Sequence, residues 1–183
     1  MRFEKVSKEA FIKDCEKWLD KLIIYDYLSE ENKTLDIPKD KMLEYFEQAY
    51  EKISIPVRST SGSAGYDFKN PFTEFTFCDV IFIPTGIRVF LDKDKILQIT
   101  PRSSASKKRM MLANTIGIID SDYVNADNEG DIIIALKNVN LPYDITTIAE
   151  NEKIAQGIIL PFYTVDDDNA NGIRTGGFGS TGK

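Results

Sequence analysis

The chain has 183 residues, 42% of them hydrophobic, and a formal net charge of −6. This length allows one good-sized domain with a core, and the acidic balance argues against a nucleic-acid binder, which would normally present a basic surface. No apolar run approaches the roughly 18–20 residues that span a bilayer, and the charged N-terminal stretch lacks the apolar centre of a signal peptide. We therefore predict a cytoplasmic protein that binds neither nucleic acid nor a membrane.

The sequence contains no histidine, and its two cysteines, Cys15 and Cys78, lie far apart. These absences exclude a Ser-His-Asp triad, a histidine general base and the common zinc sites. Acid–base chemistry near neutral pH must therefore come from carboxylates, lysine or tyrosine. A small phosphorylated substrate held by a few cations stays compatible with the composition.

Residues 1–51 are predicted to form a helical hairpin. The first helix begins after Ser7 as its N-cap, and the second enters near residues 36–38 and continues through DKMLEYFEQAYEK. The apolar face of the first helix comprises Phe11, Cys15, Leu19 and Leu22. We interpret the aromatic residues of both helices as packing residues rather than as a ligand site.

From Ile53 onward the pattern changes to short strands separated by Gly, Pro, Asp and Asn. The predicted strands are ISIPV, VIFIP, GIRVFL, ILQIT, DIIIALKN and IAQGIILPFYTV, with LDKDKI as a turn. Many short strands of this composition are typical of a β-sandwich or β-barrel. We predict a mainly β domain over residues 52–164, followed by a solvated linker and a C-terminal arm over 165–183.

The stretch TPRSSASKK has two interpretations. Arg102, beside two hydroxyl groups at the end of a strand, can donate hydrogen bonds to phosphate oxygens. The same residues also suit the start of a helix capped by Ser103 or Ser104. By itself SGSAGYDF (61–68) is a weaker signal, since a Gly-Tyr-Asp sequence in a loop is usually only a turn.

An apolar run ends abruptly at Asp120 in the stretch GIIDSDY. If the backbone is extended there, Asp120 and Asp122 point the same way. The pattern suits a carboxylate held at the mouth of a pocket, and a hairpin with polar tips is the alternative. Further along, Gln156 lies in an otherwise apolar strand and needs a hydrogen-bond partner.

Five stretches together resemble the trimeric dUTP pyrophosphatases (dUTPases). In order and spacing, the family's motifs are similar to AGYDF preceded by VRSTSGS, to PRSSA, to GIIDSDY with Asn114 before it, to NEKIAQ and to RTGGFGSTG. The stretch IPTGI also matches a common family segment. The resemblance covers about residues 53–183, and the predicted helical hairpin lies outside it.

The resemblance implies a jelly-roll-like β-barrel that assembles as a homotrimer, with each active site shared between subunits. The implied reaction is hydrolysis of dUTP to dUMP and pyrophosphate, by attack of water on the α-phosphorus in the presence of Mg²⁺. The C-terminal strip would be a flexible arm that orders over the nucleotide of a neighbouring subunit. On this view, no single chain could bring its own arm to its own catalytic carboxylate.

The resemblance also implies roles for individual residues. Asp120 would be the general base, Tyr123 would pack on the deoxyribose and exclude a 2′-hydroxyl, and Asp67 would reach Mg²⁺ through water only. The other implied substrate-binding residues are Asn114, Gly117 and Ile119 for uracil, Arg102, Ser103, Ser104 and Gln156 for the phosphate chain, and Arg174, Phe178, Gly179, Ser180 and Thr181 in the arm.

The chain departs from the family pattern at three places. Ser104 stands where the second motif usually has glycine, and the loop VNADNEGD after Tyr123 is longer than usual. Only Thr175 separates Arg174 from the glycine pair of the fifth motif. The longer loop would reshape the trimer axis or the rim of the pocket.

Two alternative functions use the same fold. A dCTP deaminase shares the barrel and the Arg-Ser-Ser motif, but it needs a glutamate at the position that this chain fills with Ala135. The N-terminal helices and the long loop also suggest a regulatory protein that binds a protein partner. Docking of the helices on the barrel is the competing interpretation of those two features.

Overall fold

The computed structural model describes residues 1–19, 39–77, 79–139 and 145–177. The helices are α1 (Lys8–Leu19) and α2 (Lys39–Lys52), with short 3-10 helices at Ala105–Lys108 and Tyr123–Asn125. The strands are β1 (Arg2–Lys5), β2 (Val57–Arg58), β3 (Tyr66–Lys69), β4 (Phe75–Phe77), β5 (Val80–Pro84), β6 (Ile87–Phe90), β7 (Lys95–Thr100), β8 (Met110–Leu112), β9 (Gly117–Ile119), β10 (Ile133–Asn138), β11 (Thr146–Ile148) and β12 (Lys153–Pro161).

The described strands pair into four sheets. The largest has the order β2-β3-β12-β7-β9, a second has the order β5-β10-β8, and the pairs β1-β6 and β11-β4 complete the set. Every one of these pairings is antiparallel. The prediction of a mainly β fold is therefore confirmed.

Most of the predicted strands are present, and β5, β6, β7, β10 and β12 match them. The stretch ISIPV contributes only β2, because Pro56 lacks the N–H that a sheet needs. The short strands β3, β4, β8, β9 and β11 were not predicted, because their pairing depends on distant partners rather than on local pattern. The predicted turn at LDKDKI is confirmed by a hydrogen bond of 3.0 Å from the Lys95 N–H to the Asp92 carbonyl.

The N-terminal residues begin with a strand, which the prediction of a helical hairpin did not include. β1 pairs with β6, so that Arg2 lies opposite Phe90 and its guanidinium stands 4.2 Å from the centre of the Phe90 ring. Ser7 is the N-cap of α1 as predicted, since its hydroxyl accepts a hydrogen bond of 3.1 Å from the Ala10 N–H.

The two helices pack on the sheets. Phe11 and Cys15 of α1 are fully buried, and Phe46 of α2 is 3% exposed. Phe11 stacks on Phe72 with ring centres 5.9 Å apart. The packing interpretation of the aromatic residues is confirmed, and the helices dock on the body of the protein. Leu22 and the predicted helix entry at 36–38 lie outside the described residues, as does Cys78.

The predicted linker is exposed from residue 165 to residue 172, as expected for a solvated segment. Within the described ranges, no helix is long and apolar enough to cross a membrane.

Candidate active site

A cavity of about 210 Å³ lies beside β7, β8, β9 and β10. Its apolar wall comprises Ile99, Leu112, Ile133, Ile134 and Ala135. Side chains that can form hydrogen bonds line the same cavity, and they are Asn114, Asp120, Tyr123 and Arg174. The cavity therefore combines a surface for a flat apolar group with a polar mouth.

Asp120 stands at this mouth, directly after the last residue of β9. The backbone does not stay extended beyond it, because the Tyr123 N–H bonds to the Asp120 carbonyl at 3.1 Å and closes a turn. Of the two geometries considered for the aspartates, the structure therefore does not adopt the extended one. The side chains of Asp120 and Asp122 nevertheless share one partner, since both carboxylates pair with Arg174. The distance from Asp122 Oδ1 to Arg174 Nε is 2.7 Å.

The two aspartates remain accessible although they are paired. Their side chains are 45% and 51% exposed, whereas that of Arg174 is only 18% exposed. An ion pair at such exposure is weak enough to be exchanged for another partner. A ligand that brings its own anionic oxygens can therefore compete for Arg174.

Tyr123 forms part of the wall of the cavity and is 7% exposed. Its hydroxyl donates a hydrogen bond of 3.0 Å to the carbonyl of Asp131. Burial raises the pKa of the Tyr123 phenol, so the group stays neutral. The ring is consequently a fixed, uncharged surface.

The start of the C-terminal arm lies against this ring in the same chain. A Cβ atom on Gly177 would stand 3.0 Å from Tyr123 Cε2, so a larger residue would have to displace the ring or the arm. Arg174 reaches the chain's own Asp120. The expectation that a single chain cannot bring its arm to its own carboxylate is therefore wrong for this part of the arm.

The predicted uracil-reading residues come together as expected. Asn114, Gly117 and Ile119 all line the cavity. Gly117 pairs with Ile99 across β7 and β9, and its backbone approaches closely enough that an added Cβ would lie 3.2 Å from that of Ile99. The remaining predicted arm residues, Phe178, Gly179, Ser180 and Thr181, lie outside the described residues.

A second polar cluster is centred on Asp67 of β3. Its Oδ1 lies 2.8 Å from Arg102 Nε and its Oδ2 lies 2.7 Å from Lys153 Nζ. The Ser59 hydroxyl donates a further bond of 3.0 Å to Oδ2. Burial raises the pKa of Asp67, but hydrogen bonds from Lys153 and Ser59 and the charge of Arg102 together hold it below its usual value.

Gln156 lies beside Asp67 in the pairing of β3 with β12, and its amide donates a bond of 3.1 Å to the Pro101 carbonyl. The predicted need for a partner is therefore met. Ser104 occupies the N-cap position of the following 3-10 helix, but its side chain makes no capping hydrogen bond. Ser103 and Ser104 are both exposed, next to Arg102.

The predicted site residues thus form two groups rather than one. Among the described residues that line the Asp120 cavity, none belongs to the set Arg102, Ser103, Ser104 and Gln156. The sequence analysis also missed Ser59 and Lys153, although both lie inside motif stretches that it quoted. Only the folded pairing of distant strands reveals that they share a carboxylate.

The donor groups do not fit a metal cage formed by protein side chains. Mg²⁺ prefers several oxygen ligands in octahedral geometry. Within residues 1–19, 39–77, 79–139 and 145–177, no group of three or more His, Cys, Asp or Glu side chains could hold a metal ion. Asp67 is 6% exposed and already contacts two cations and a hydroxyl group, so it does not fit a direct ligand.

The fold and the site together define a class of protein. The chain has an apolar pocket with a carboxylate and an arginine at its mouth, and it has a separate cluster of cations. This combination suits an enzyme that acts on a small phosphorylated molecule. The family model described as dUTPase matches residues 51–182. The chain belongs to the dUTPase family.

Named relatives support the family. The deoxyuridine 5'-triphosphate nucleotidohydrolase of Lactococcus lactis is 38% identical over 135 residues, which cover 71% of this chain and 89% of that protein. The crystal structure of dUTPase from Streptococcus mutans matches with a TM-score of 0.57 and 32% identity, covering 63% of this chain and 91% of that one. The predicted dUTPase-type, jelly-roll-like β class is thereby confirmed.

A mutant dUTPase from phage phi11 of S. aureus supports the fold alone. It matches with a TM-score of 0.55 and 21% identity, and the match covers 68% of this chain and 94% of that one. That phage structure is described as revealing the coordination of a structural Mg(II) ion.

The structure also argues against the deaminase alternative, which needs a glutamate at the position of Ala135. Ala135 lies on β10, is 4% exposed and forms part of the cavity wall. A methyl group at this place cannot transfer protons. The cavity therefore holds no carboxylate where a deaminase would need one.

Proposed function

We propose that the chain hydrolyses dUTP to dUMP and pyrophosphate, with Asp120 as the general base. The observation that carries this proposal is the Asp120 cavity, in which an accessible carboxylate, a buried tyrosine and an arginine meet an apolar wall. Membership of the dUTPase family supports the same reaction.

Binding of the nucleoside uses the inner part of the cavity. The side chain of Asn114 and the backbone of Gly117 and Ile119 supply donors and acceptors for the edge of uracil. The Tyr123 ring packs against the deoxyribose, and its hydroxyl is held by the Asp131 carbonyl. Because the ring is buried and fixed, a 2′-hydroxyl meets carbon rather than open space.

Asp120 then removes a proton from a water molecule that attacks the α-phosphorus. The new bond joins the water oxygen to that phosphorus, the bond to the bridging oxygen of the β-phosphate breaks, and pyrophosphate leaves. In this structure Arg174 pairs with both Asp120 and Asp122. Phosphate oxygens offer the guanidinium a more highly charged partner, so its transfer to them frees the Asp120 carboxylate to accept the proton.

The cluster around Arg102 supplies the second half of the proposed site. Since Arg102, Ser103, Ser104 and Gln156 do not line the chain's own cavity, we propose that a neighbouring copy supplies them in a homotrimer. Residues 178–181 of an arm would then close over the phosphates. Mg²⁺ carried by the triphosphate would neutralise its oxygens, with Asp67 reaching the ion through water.

The partner-binding alternative has less support than the enzymatic one. The apolar faces of α1 and α2 are already used by the chain's own core, through residues such as Phe11 and Phe46. The features that suggested a protein partner therefore have a structural explanation. The domain bounds 1–51, 52–164 and 165–183 and the cytoplasmic location remain predictions.

Pyrophosphate release from dUTP, dCTP, dTTP and UTP tests the proposal directly. We expect the rate of release from dUTP to be at least about a hundred times that from each of the other three nucleotides, because the pocket selects both base and sugar. Release of ammonia from dCTP, or equal rates with dUTP and UTP, would overturn it.

A further inference from the structure

Next to the Tyr123 hydroxyl lie two polar side chains, Asn128 and Asp14, which do not line the cavity and which the proposed reaction does not use. Asn128 Nδ2 stands 3.1 Å from the Tyr123 hydroxyl oxygen and 3.0 Å from Asp14 Oδ2. The Asn128 Oδ1 accepts a bond of 3.2 Å from the Gly130 N–H, which fixes which end of the amide faces the tyrosine. Asn128 therefore joins α1 to the tyrosine of the site.

Asp14 is an unusual residue for the inner face of a helix. Its side chain is 4% exposed, and burial raises its pKa while the hydrogen bond from Asn128 lowers it. A buried carboxyl group is costly unless it has a partner. The Asn128 amide supplies that partner, so the two residues hold each other in place.

The same loop is fixed to α1 at a second point that does not touch the tyrosine. Glu129 accepts bonds from the Ser7 hydroxyl at 2.6 Å and from the Ser7 N–H at 2.9 Å. Gly130 has a φ angle of +78°, and an added Cβ would stand 2.7 Å from Val124 Cα. The loop is thus tightly shaped and anchored twice by the N-terminal helix.

The contact joins a helix outside the family match to a loop inside it. α1 precedes the residues 51–182 that match the dUTPase model, and Asn128 belongs to the lengthened loop VNADNEGD. The loop also touches the arm, since the Asp127 N–H bonds to the Thr175 carbonyl at 3.1 Å. The N-terminal helix, this loop and the start of the arm therefore meet beside Tyr123.

We propose that Asn128, held by Asp14 of the N-terminal helix, is a positioning residue that fixes the Tyr123 ring and so sets the discrimination between deoxyribose and ribose. This inference rests on the proposed function of Tyr123 as the residue that excludes a 2′-hydroxyl. The N-terminal helix then contributes to the discrimination between dUTP and UTP.

The test compares kcat/KM for dUTP with kcat/KM for UTP in the full-length chain. We expect Asn128→Ala and Asp14→Ala each to lower this ratio about tenfold, mainly by raising the value for UTP. The first variant removes the hydrogen bond between Asn128 and the phenol and the second loosens it, so that the Asp131 carbonyl is left as the firm partner of the hydroxyl. Asp14→Asn keeps an acceptor oxygen for Asn128 and should keep the wild-type ratio. Glu129→Ala is the matched control, since it loosens the same loop and helix without touching Tyr123, and it should lower the melting temperature but leave the ratio unchanged.

An unchanged ratio in both folded alanine variants would overturn the inference, and so would an equal fall in Glu129→Ala, which would indicate general loosening. If Asn128→Ala does not fold, Asp14→Ala decides alone, because it alters only the helix end of the hydrogen-bond chain. Wild-type protein that cleaves dUTP but does not reject UTP would instead overturn the role of Tyr123, a failure of the proposed function that is visible before any variant is made.

Discussion

Two acidic residues of the proposed site, Asp120 and Asp67, differ in how they are held. The Asp67 side chain is 6% exposed and contacts two cations, Arg102 and Lys153, from the sheet and its adjoining loop. The Asp120 side chain is 45% exposed, and its cation comes from the C-terminal arm. A carboxylate fixed inside a sheet organises its neighbours, whereas an accessible one can exchange its partner for a substrate.

Strand pairing accounts for this difference. The register of β3 against β12 places Asp67 beside Gln156, and Lys153 precedes Gln156 on β12. Asp120 follows the end of β9, where the backbone turns out of the sheet. If the two environments make separate contributions to catalysis, substitutions at Asp120 and at Arg102 should have different effects on turnover and binding.

The largest expected effect is that of Asp120→Asn. Loss of the general base should lower turnover by roughly 10²–10⁴-fold while dUTP still binds, because the amide cannot accept the proton. The measurements are pyrophosphate release and equilibrium binding of a non-hydrolysable dUTP analogue. Asp122→Asn is the matched control, since Asp122 pairs with the same arginine, and it should cost less than tenfold. Similar losses in both variants would show that the ion pair, rather than a base, matters.

Arg102→Ala should affect binding more than chemistry. We expect kcat/KM for dUTP to fall roughly 10–100-fold, mostly through KM, because a charge-assisted hydrogen bond to phosphate is lost. Lys107, an exposed cation of the adjoining 3-10 helix, provides the control, and Lys107→Ala should stay within about twofold. Equal effects of the two substitutions would indicate that only general positive charge is needed.

Tyr123→Ala should admit UTP, with kcat/KM for UTP rising about tenfold. Tyr123→Phe keeps the ring but removes the hydroxyl that Asn128 and the Asp131 carbonyl hold, so its rejection of UTP should lie between those of the wild type and of Tyr123→Ala. The two variants together separate the shape of the ring from its hydroxyl group. The assay is pyrophosphate release from both nucleotides. Unchanged discrimination in the alanine variant would show that another group excludes the 2′-hydroxyl.

The smallest expected effect concerns pH and Asp131. Complete burial, together with the charge of Asp14, raises the pKa of Asp131 well above its usual value. Between about pH 4 and that raised pKa the folded state holds a proton that the unfolded state has released. The free energy of unfolding should therefore fall as the pH rises through this window, by at most about 1.4 kcal/mol per pH unit.

Asp131→Asn should remove this contribution and flatten the profile. Urea unfolding at a series of pH values measures it, with Asp166→Asn in the exposed linker as a control that leaves the profile unchanged. Asp67 acts in the opposite direction, because its lowered pKa gives stability that is lost as the pH falls. A profile for Asp131→Asn that is identical to the wild type would show that the buried acid does not retain its proton.

The sequence predicted much of the cavity because its residues lie in short, contiguous motifs. Asn114, Asp120 and Tyr123 span ten positions, and one strand with its turn brings them together. The ion pair of Asp67 with Lys153 could not be predicted, since it depends on the register of distant strands.

The N-terminal region shows a similar limit. The strand RFEK is short and charged, and it becomes a strand only by pairing with β6. The contact between Asp14 and Asn128 joins residues 114 positions apart, and no local pattern indicates it. By contrast, the amphipathic pattern of α1 and α2 was sufficient to predict that their aromatic residues would be packed.

Subunit complementation tests most directly whether Asp120 of one chain works with Arg102 of another. The Asp120→Asn and Arg102→Ala chains are co-expressed and purified as mixed assemblies. Pyrophosphate release from dUTP by these assemblies is compared with that of each variant expressed and purified alone. If sites are shared, some will contain an intact Asp120 from one chain and an intact Arg102 from its neighbour, so the mixture should be clearly more active than either variant alone. A mixed assembly no more active than the average of its parents would contradict the account.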